Sequence, residues 1–261
     1  FAWLLRSGLI VLLVAVVTYG AIWPAMWVRP LQAAGPMLTP AGRLITIFSD
    51  PDGALVESVC LAASGAGYAL KGWGYSPEVG YRLAWSWKEA QPMPAPDVDS
   101  LKRDLAASAE EAVTSALRER GEPTPRSLLR ASAYAGLTAQ GSLARAAAVS
   151  KGSPPLFSLV SDAVDGALEA APTTRLEYQE EAEEVLWLRE DGGQIAEPIA
   201  DRVESQVWEL LLQQKTWALE DLVNATYARF PGHLTPDLAL VLICIESYSE
   251  QGEKTPRLRS E

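Results

Sequence analysis

The sequence predicts an α/β region followed by a mainly α-helical one. Three observations carry this. Up to residue 87 the chain is built of short apolar runs rich in β-branched and aromatic residues, cut by Gly and Pro turns. Beyond residue 100 the segments have helical length and period, with Pro and Gly stops. The charge also shifts. Residues 1–100 hold six basic and seven acidic side chains, whereas residues 101–261 hold 16 and 26. The boundary falls on Gln91-Pro-Met-Pro-Ala-Pro-Asp97, where three prolines in five residues favour an extended linker. The expected division is an α/β region over 1–90, a linker over 91–100, and helical domains over 101–190 and 191–261.

Composition removes several classes at once. The 261 residues include two Cys and one His, too few for a Cys/His zinc module or a disulfide scaffold. The net charge of -11 argues against a broad electrostatic grip on nucleic acid.

The elements are justified in chain order. The first residue is Phe, so the chain reads as a fragment, a processed product or an incomplete reading frame. Ser7 to Val28 carries no charge and is flanked by Arg6 and Arg29. A 22-residue helix would cross a bilayer, with Trp23 and Trp27 at one interface. The competing reading is a buried parallel strand over Leu9–Val17, ended by Thr18-Tyr-Gly20, with a helix over Ile22–Leu38. Ala41–Phe48 reads as a buried strand and Ala54–Ser64 as a helix stopped by Gly65-Ala-Gly67. Ser49-Asp-Pro-Asp-Gly53 supplies the turn and helix N-cap between them. Tyr68–Tyr75 and Tyr81–Trp87 form a hairpin about Ser76–Gly80. In the second strand Tyr81, Leu83, Trp85 and Trp87 alternate with Arg82, Ala84 and Ser86.

Leu38-Thr-Pro-Ala-Gly-Arg-Leu-Ile-Thr-Ile-Phe-Ser49 resembles the segment leading into the fifth strand of S-adenosylmethionine-dependent methyltransferases. Asp50-Pro-Asp-Gly-Ala-Leu-Val-Glu57, Gly67-Tyr-Ala-Leu70, Leu117–Pro123 and Phe230–Pro236 look like the C-terminal half of large bacterial DNA-methylase-like proteins with an upstream DPPY-type motif. The resemblance covers about residues 22–261 and its motifs are of low specificity. It implies the C-terminal part of a class I methyltransferase-like sheet, in which a last parallel strand precedes a helix and an antiparallel pair. It implies S-adenosylmethionine as cofactor of the parent, and methylation of an adenine or cytosine amino group. The family's cofactor glycine loop and its catalytic Asn/Asp-Pro-Pro-Tyr/Phe motif are both missing here, so this chain is expected to bind no cofactor and to be inactive alone. The implied partners are the missing N-terminal methyltransferase half and, through it, DNA.

Other motifs return little. Gly65-x-Gly67 and Gly72-x-Gly74 lack the third glycine of a dinucleotide fingerprint. His233 lies in a Pro-Gly-His-Leu-Thr-Pro loop and reads as solvated. Cys60 and Cys244 read as inert core thiols. Trp73, Trp85 and Trp87 either pack across strands or line a pocket for a base or adenosyl group. No catalytic or metal residues are assigned.

The C-terminal 160 residues read as two winged-helix-like units. The first has helices Leu101–Arg120, Arg126–Ala139 and Leu156–Ala170, then strands Arg175–Tyr178 and Glu184–Arg189 about an acidic, solvated turn. The second has helices Ala200–Gln214, Leu219–Arg229 and Pro236–Glu250, with Lys254–Arg259 as a final strand or wing. Both third helices are acidic, through Asp162, Asp165 and Glu169 and through Asp237, Glu246 and Glu250. Acidic side chains there would repel a phosphate backbone. Their apolar faces suit domain packing or a protein partner. Arg118, Arg120, Arg126 and Arg130 are the only candidate nucleic-acid contacts, with helix-end salt bridging as the competing use. The leading expectation is a cytoplasmic accessory region of a DNA-methylase-like protein. The alternative is a single-pass inner-membrane protein with an acidic cytosolic interaction module.

Overall fold

The computed structural model describes residues 11–13, 30–38, 42–49, 54–76, 80–87, 97–150, 155–171, 173–176, 184–188, 195–214, 216–250 and 257–258. It is a mixed α/β protein, as expected. β1 (Val11–Leu13) pairs in parallel with β2 (Leu44–Phe48), with Val11 opposite Leu44. The remainder of the apolar stretch 7–28 and most of the linker 91–97 lie outside the described residues. Among those described, no helix is long and apolar enough to cross a membrane. Residues 30–34 are helical and tighten into a 3-10 turn over Gly35–Met37.

Helix α1 (Ala54–Gly65) follows β2, and Gly67 turns the chain at φ 90° into β3 (Tyr68–Ser76). A side chain would be strained in that left-handed conformation, which is why glycine stands there. β4 (Gly80–Trp87) returns antiparallel and inserts between β2 and β3, giving the order β1-β2-β4-β3. The alternation in β4 holds over its first half: Tyr81, Leu83 and Trp85 are fully buried while Arg82 is exposed. It fails at the end, where Ser86 is buried and Trp87 only half-buried. Trp85 lies opposite Leu44 on one side and Leu70 on the other, and its indole N–H donates to Thr46 Oγ1 at 3.1 Å.

Helix α2 (Val98–Arg120) begins on Asp97, whose carboxylate accepts from the Ser100 N–H at 3.1 Å. It ends on Gly121 in the left-handed conformation. The two-residue strand β5 (Thr124–Pro125) leads into α3 (Arg126–Ala139), α4 (Ser142–Ser150) and α5 (Pro155–Ala170). β6 (Thr173–Leu176) and β7 (Val185–Leu188) complete an antiparallel sheet ordered β5-β7-β6. Neither α4 nor β5 is anticipated in the sequence reading, which passes directly from one helix ending at Arg120 to the next starting at Arg126.

One apolar core runs from Leu31 and Leu44 through Val56, Cys60 and Trp85 to Leu129, Val164 and Leu188. The four-stranded sheet and the first helical unit therefore share an interior across the Pro-rich stretch. A polar cluster pins the same seam. Arg130 on α3 lies 3.4 Å from Glu57 of α1, is ion-paired with Asp165 of α5, and donates to Ser161 Oγ at 3.0 Å. Burial raises the Glu57 carboxyl above its usual range, against the pull of Tyr134 and Arg130.

A second, smaller core is separate. It holds Ile199, Val203, Val207, Leu211, Leu222, Val241 and Ile245, from α6 (Ile199–Gln213), α7 (Leu219–Tyr227) and α8 (Leu238–Tyr248). β8 (Ser249–Glu250) pairs antiparallel with β9 (Arg257–Leu258), within the basic tail expected to form a strand or wing.

Candidate functional site

The sheet edge, two helices and a loop of the second helical unit meet at one cleft of about 350 Å³. Its sheet wall is Leu70–Trp73 of β3, where the pairing with β4 slips between Leu70 and Gly72. A bulge of this kind bends a strand and re-aims its side chains. Its floor is the crossing of α2 and α3. The crossing is tight because Gly136 faces Ala112, and a Cβ on Gly136 would stand 2.7 Å from the Ala112 methyl. The fourth side is the 230–235 loop. Gly232 turns at φ 68°, and its N–H donates to the Trp73 carbonyl at 2.6 Å. Thr235 Oγ1 closes the loop on the Gly232 carbonyl at 2.9 Å.

His233 is placed differently from the sequence expectation. It reads as solvated in the sequence, but its side chain is only 20% exposed. Burial pushes the imidazole below its ordinary pKa, although Glu119 pulls the other way. The His233 Nε2 lies 3.0 Å from Glu119 Oε2, and the Ser115 hydroxyl donates to Glu119 Oε1 at 2.5 Å. Ser, Glu and His are all present, yet the carboxylate stands between the other two. A nucleophilic triad needs the imidazole in the middle to take the hydroxyl proton. Here the hydroxyl is committed to the carboxylate, so this arrangement orients a loop and activates nothing.

The four sequence-predicted arginines have different partners. Arg120 is buried, pairs with Glu122 at 2.6 Å and donates to the His233 carbonyl. Arg126 pairs with Glu184 at 2.9 Å and Glu169 at 3.3 Å. Arg130 belongs to the Glu57–Asp165 cluster and lies 5.8 Å over the Tyr134 ring. Arg118 is half-buried, and its own backbone carbonyl accepts from the Ala196 N–H at 2.9 Å. Three of these guanidiniums therefore already hold carboxylates. Two of those carboxylates, Asp165 and Glu169, come from α5, which follows the unanticipated α4.

The three tryptophans separate. Trp73 lines the cleft, Trp85 is core, and Trp87 packs on Gly35, where a Cβ would come within 2.3 Å of its ring nitrogen. Trp73 also stacks on Tyr81, with centroids 6.4 Å apart. Cys60 is fully buried and its thiol is pushed up to about 12 by that burial, so it is not a nucleophile. Among the described residues no group of three or more His, Cys, Asp or Glu could hold a metal ion. Asp50 and Asp52 lie outside them.

The cleft joins residues that sequence reasoning does not connect. Glu119 and His233 stand 114 positions apart, and Lys71, Glu111 and Gln140 carry no motif. The one available signal is local: the glycine pair Gly72 and Gly74 within a strand, which marks a bulge or a close backbone approach. No family model, no curated protein and no solved structure matches this chain.

Proposed function

We propose that this chain is the C-terminal accessory region of a cytoplasmic, S-adenosylmethionine-dependent DNA-methylase-like protein of the DPPY type, without methyl transfer of its own. The observation that carries the reading is the sheet. β1 and β2 are adjacent and parallel, α1 follows β2, and an antiparallel pair closes the edge. That is the sequence of elements the resemblance implies for the closing third of such a sheet. Among the described residues β1 pairs only with β2, so its other edge is where further strands would add.

The helical part supports winged-helix-like units. In the first, a short strand after the first helix joins the two terminal strands in the order β5-β7-β6. In the second, three helices precede the β8–β9 pair. The engaged arginines and the acidic side chains of α5 make these units scaffold or protein-binding domains, although the first unit carries an additional helix, α4, before α5. Contact with the DNA phosphates then falls to the N-terminal half, as does binding of the cofactor. Fold-level analogy gives this reading its direction, and chemistry must test it.

Incubation of the purified chain with methyl-labelled S-adenosylmethionine and duplex DNA is expected to leave the DNA unlabelled. Label transfer by the chain alone would overturn the accessory role. Sequencing the DNA directly upstream of the Phe1 codon is expected to reveal an in-frame Asn/Asp-Pro-Pro-Tyr/Phe motif. A stop codon in its place would overturn the family reading.

A further inference from the structure

The cleft between β3, α2, α3 and the 230–235 loop has the size of a small-ligand site, and its lining says what kind of molecule it would take. We propose that it binds a neutral, planar heteroaromatic ring with an amide-like hydrogen-bonding edge, namely a nucleobase or nucleoside, stacked against Trp73.

Four features lead there. Trp73 is among the lining residues, its ring backed by Tyr81, and flat rings gain most from an aromatic neighbour. The floor is made of Ala112, Ala135, Gly136 and Ala139, residues small enough to leave a slot for a ring. Gln140 stands exposed at the rim and makes no side-chain hydrogen bond among the described residues. Its amide offers one donor and one acceptor side by side, the pattern that reads the edge of adenine. Lys71 and Glu111 are also exposed at the rim and form no ion pair among the described residues. Their charges cancel, so the cleft favours an uncharged ring over a polyphosphate. The proposal stands on the cleft alone and does not need the methyltransferase reading.

The cleft can be narrowed without disturbing the fold. Ala139 is the last residue of α3, lines the cleft and is exposed, so a larger side chain there crowds the cleft and leaves the core alone. The test is titration of the whole chain with adenosine, following the Trp73 indole N–H signal by NMR after its assignment with Trp73→Phe. A saturable shift is expected. Ala139→Leu should weaken binding at least tenfold while the Tm stays within a degree or so of the parent. Gln140→Ala, which removes an exposed side chain, should weaken binding about tenfold. ATP should bind no more tightly than adenosine. Three results would each overturn the proposal: no saturable shift, unchanged binding in both Ala139→Leu and Gln140→Ala, or indole binding as tightly as adenosine. The labelled-methyl assay reads a different event, so nucleoside binding and the accessory role can fail separately.

Discussion

The two regions of the molecule are held together by different forces. Residues 31–188 close around one large apolar core to which both larger sheets and all of α1 to α5 contribute. Residues 199–248 have a core of their own, with ten buried apolar side chains among the described residues, and leave Trp208, Leu212 and Ile243 exposed. The junction between the regions is polar and centres on the C-terminal end of α2. Ala196 N–H donates to the Arg118 carbonyl, Arg202 to the Glu119 carbonyl at 2.5 Å, and Gly232 N–H to the Trp73 carbonyl. Helix C-termini leave carbonyls without partners, and the second region supplies the donors. The lesson is that the segments on either side of the proline-rich stretch share one core, whereas the contacts near residue 196 are polar.

That contrast can be broken in three ways. Trp85→Ala is the largest. It empties the centre of the first core and should cost about 3–5 kcal/mol. Urea unfolding should then split into two transitions, the first moved to lower denaturant and the second region's left in place. A single transition shifted as a whole would show that the regions unfold together.

Gly121→Ala is expected to be smaller. The residue sits at φ 67°, and an added Cβ would stand 2.1 Å from the Ala196 carbonyl oxygen. The left-handed conformation alone costs about 1–2 kcal/mol for a non-glycine residue. The expected result is faster hydrogen exchange at the Ala196 and Gly232 amides, with the first core's amides unchanged. Unchanged exchange at those two amides would mean that the junction does not depend on this contact.

The smallest effect is a pH dependence. The docked His233 has its pKa held below the ordinary histidine value by burial. Released from the junction, it would titrate near about 6.5. Between those two values the undocked state binds more protons, so docking is full above about 6.5 and weakens as pH falls through that range. Protection of the Gly232 amide should therefore drop between neutral and mildly acidic buffer. A flat profile would show an imidazole that stays solvated.

Legibility in the sequence follows the range of the interactions. β2, β3, β4, α2 and α3 are readable to within a few residues, because alternation, an Asp N-cap and glycine stops are local signals. β5 is not readable. Its two residues become a strand only by pairing with Val185 and Leu186, some 60 positions away. α4 is an alanine-rich segment entered through Gly141 at φ 75°, and its helix propensity is plain in retrospect. The shared core is hidden for the same reason as β5. Proline composition announces a break in local structure and says nothing of which faces pack across it. At the cleft, Trp73 is legible as an aromatic candidate, whereas the Glu119–His233 contact depends wholly on docking.

The seam across α1, α3 and α5 also sets a timetable for synthesis. The inner face of α1, with Val56, Cys60 and Ala63, is covered by the same core as Leu129, Leu143 and Val164. Glu57 finds Arg130 only when α3 exists. A ribosome that has finished β4 must still make roughly 80 residues before α5 is complete, about 4–17 s at ordinary elongation rates. Throughout that interval the four-stranded sheet has one face uncovered. The nascent chain thus presents Tyr81, Leu83 and Trp85 uncovered for seconds, the kind of apolar surface that aggregates or engages a holding chaperone.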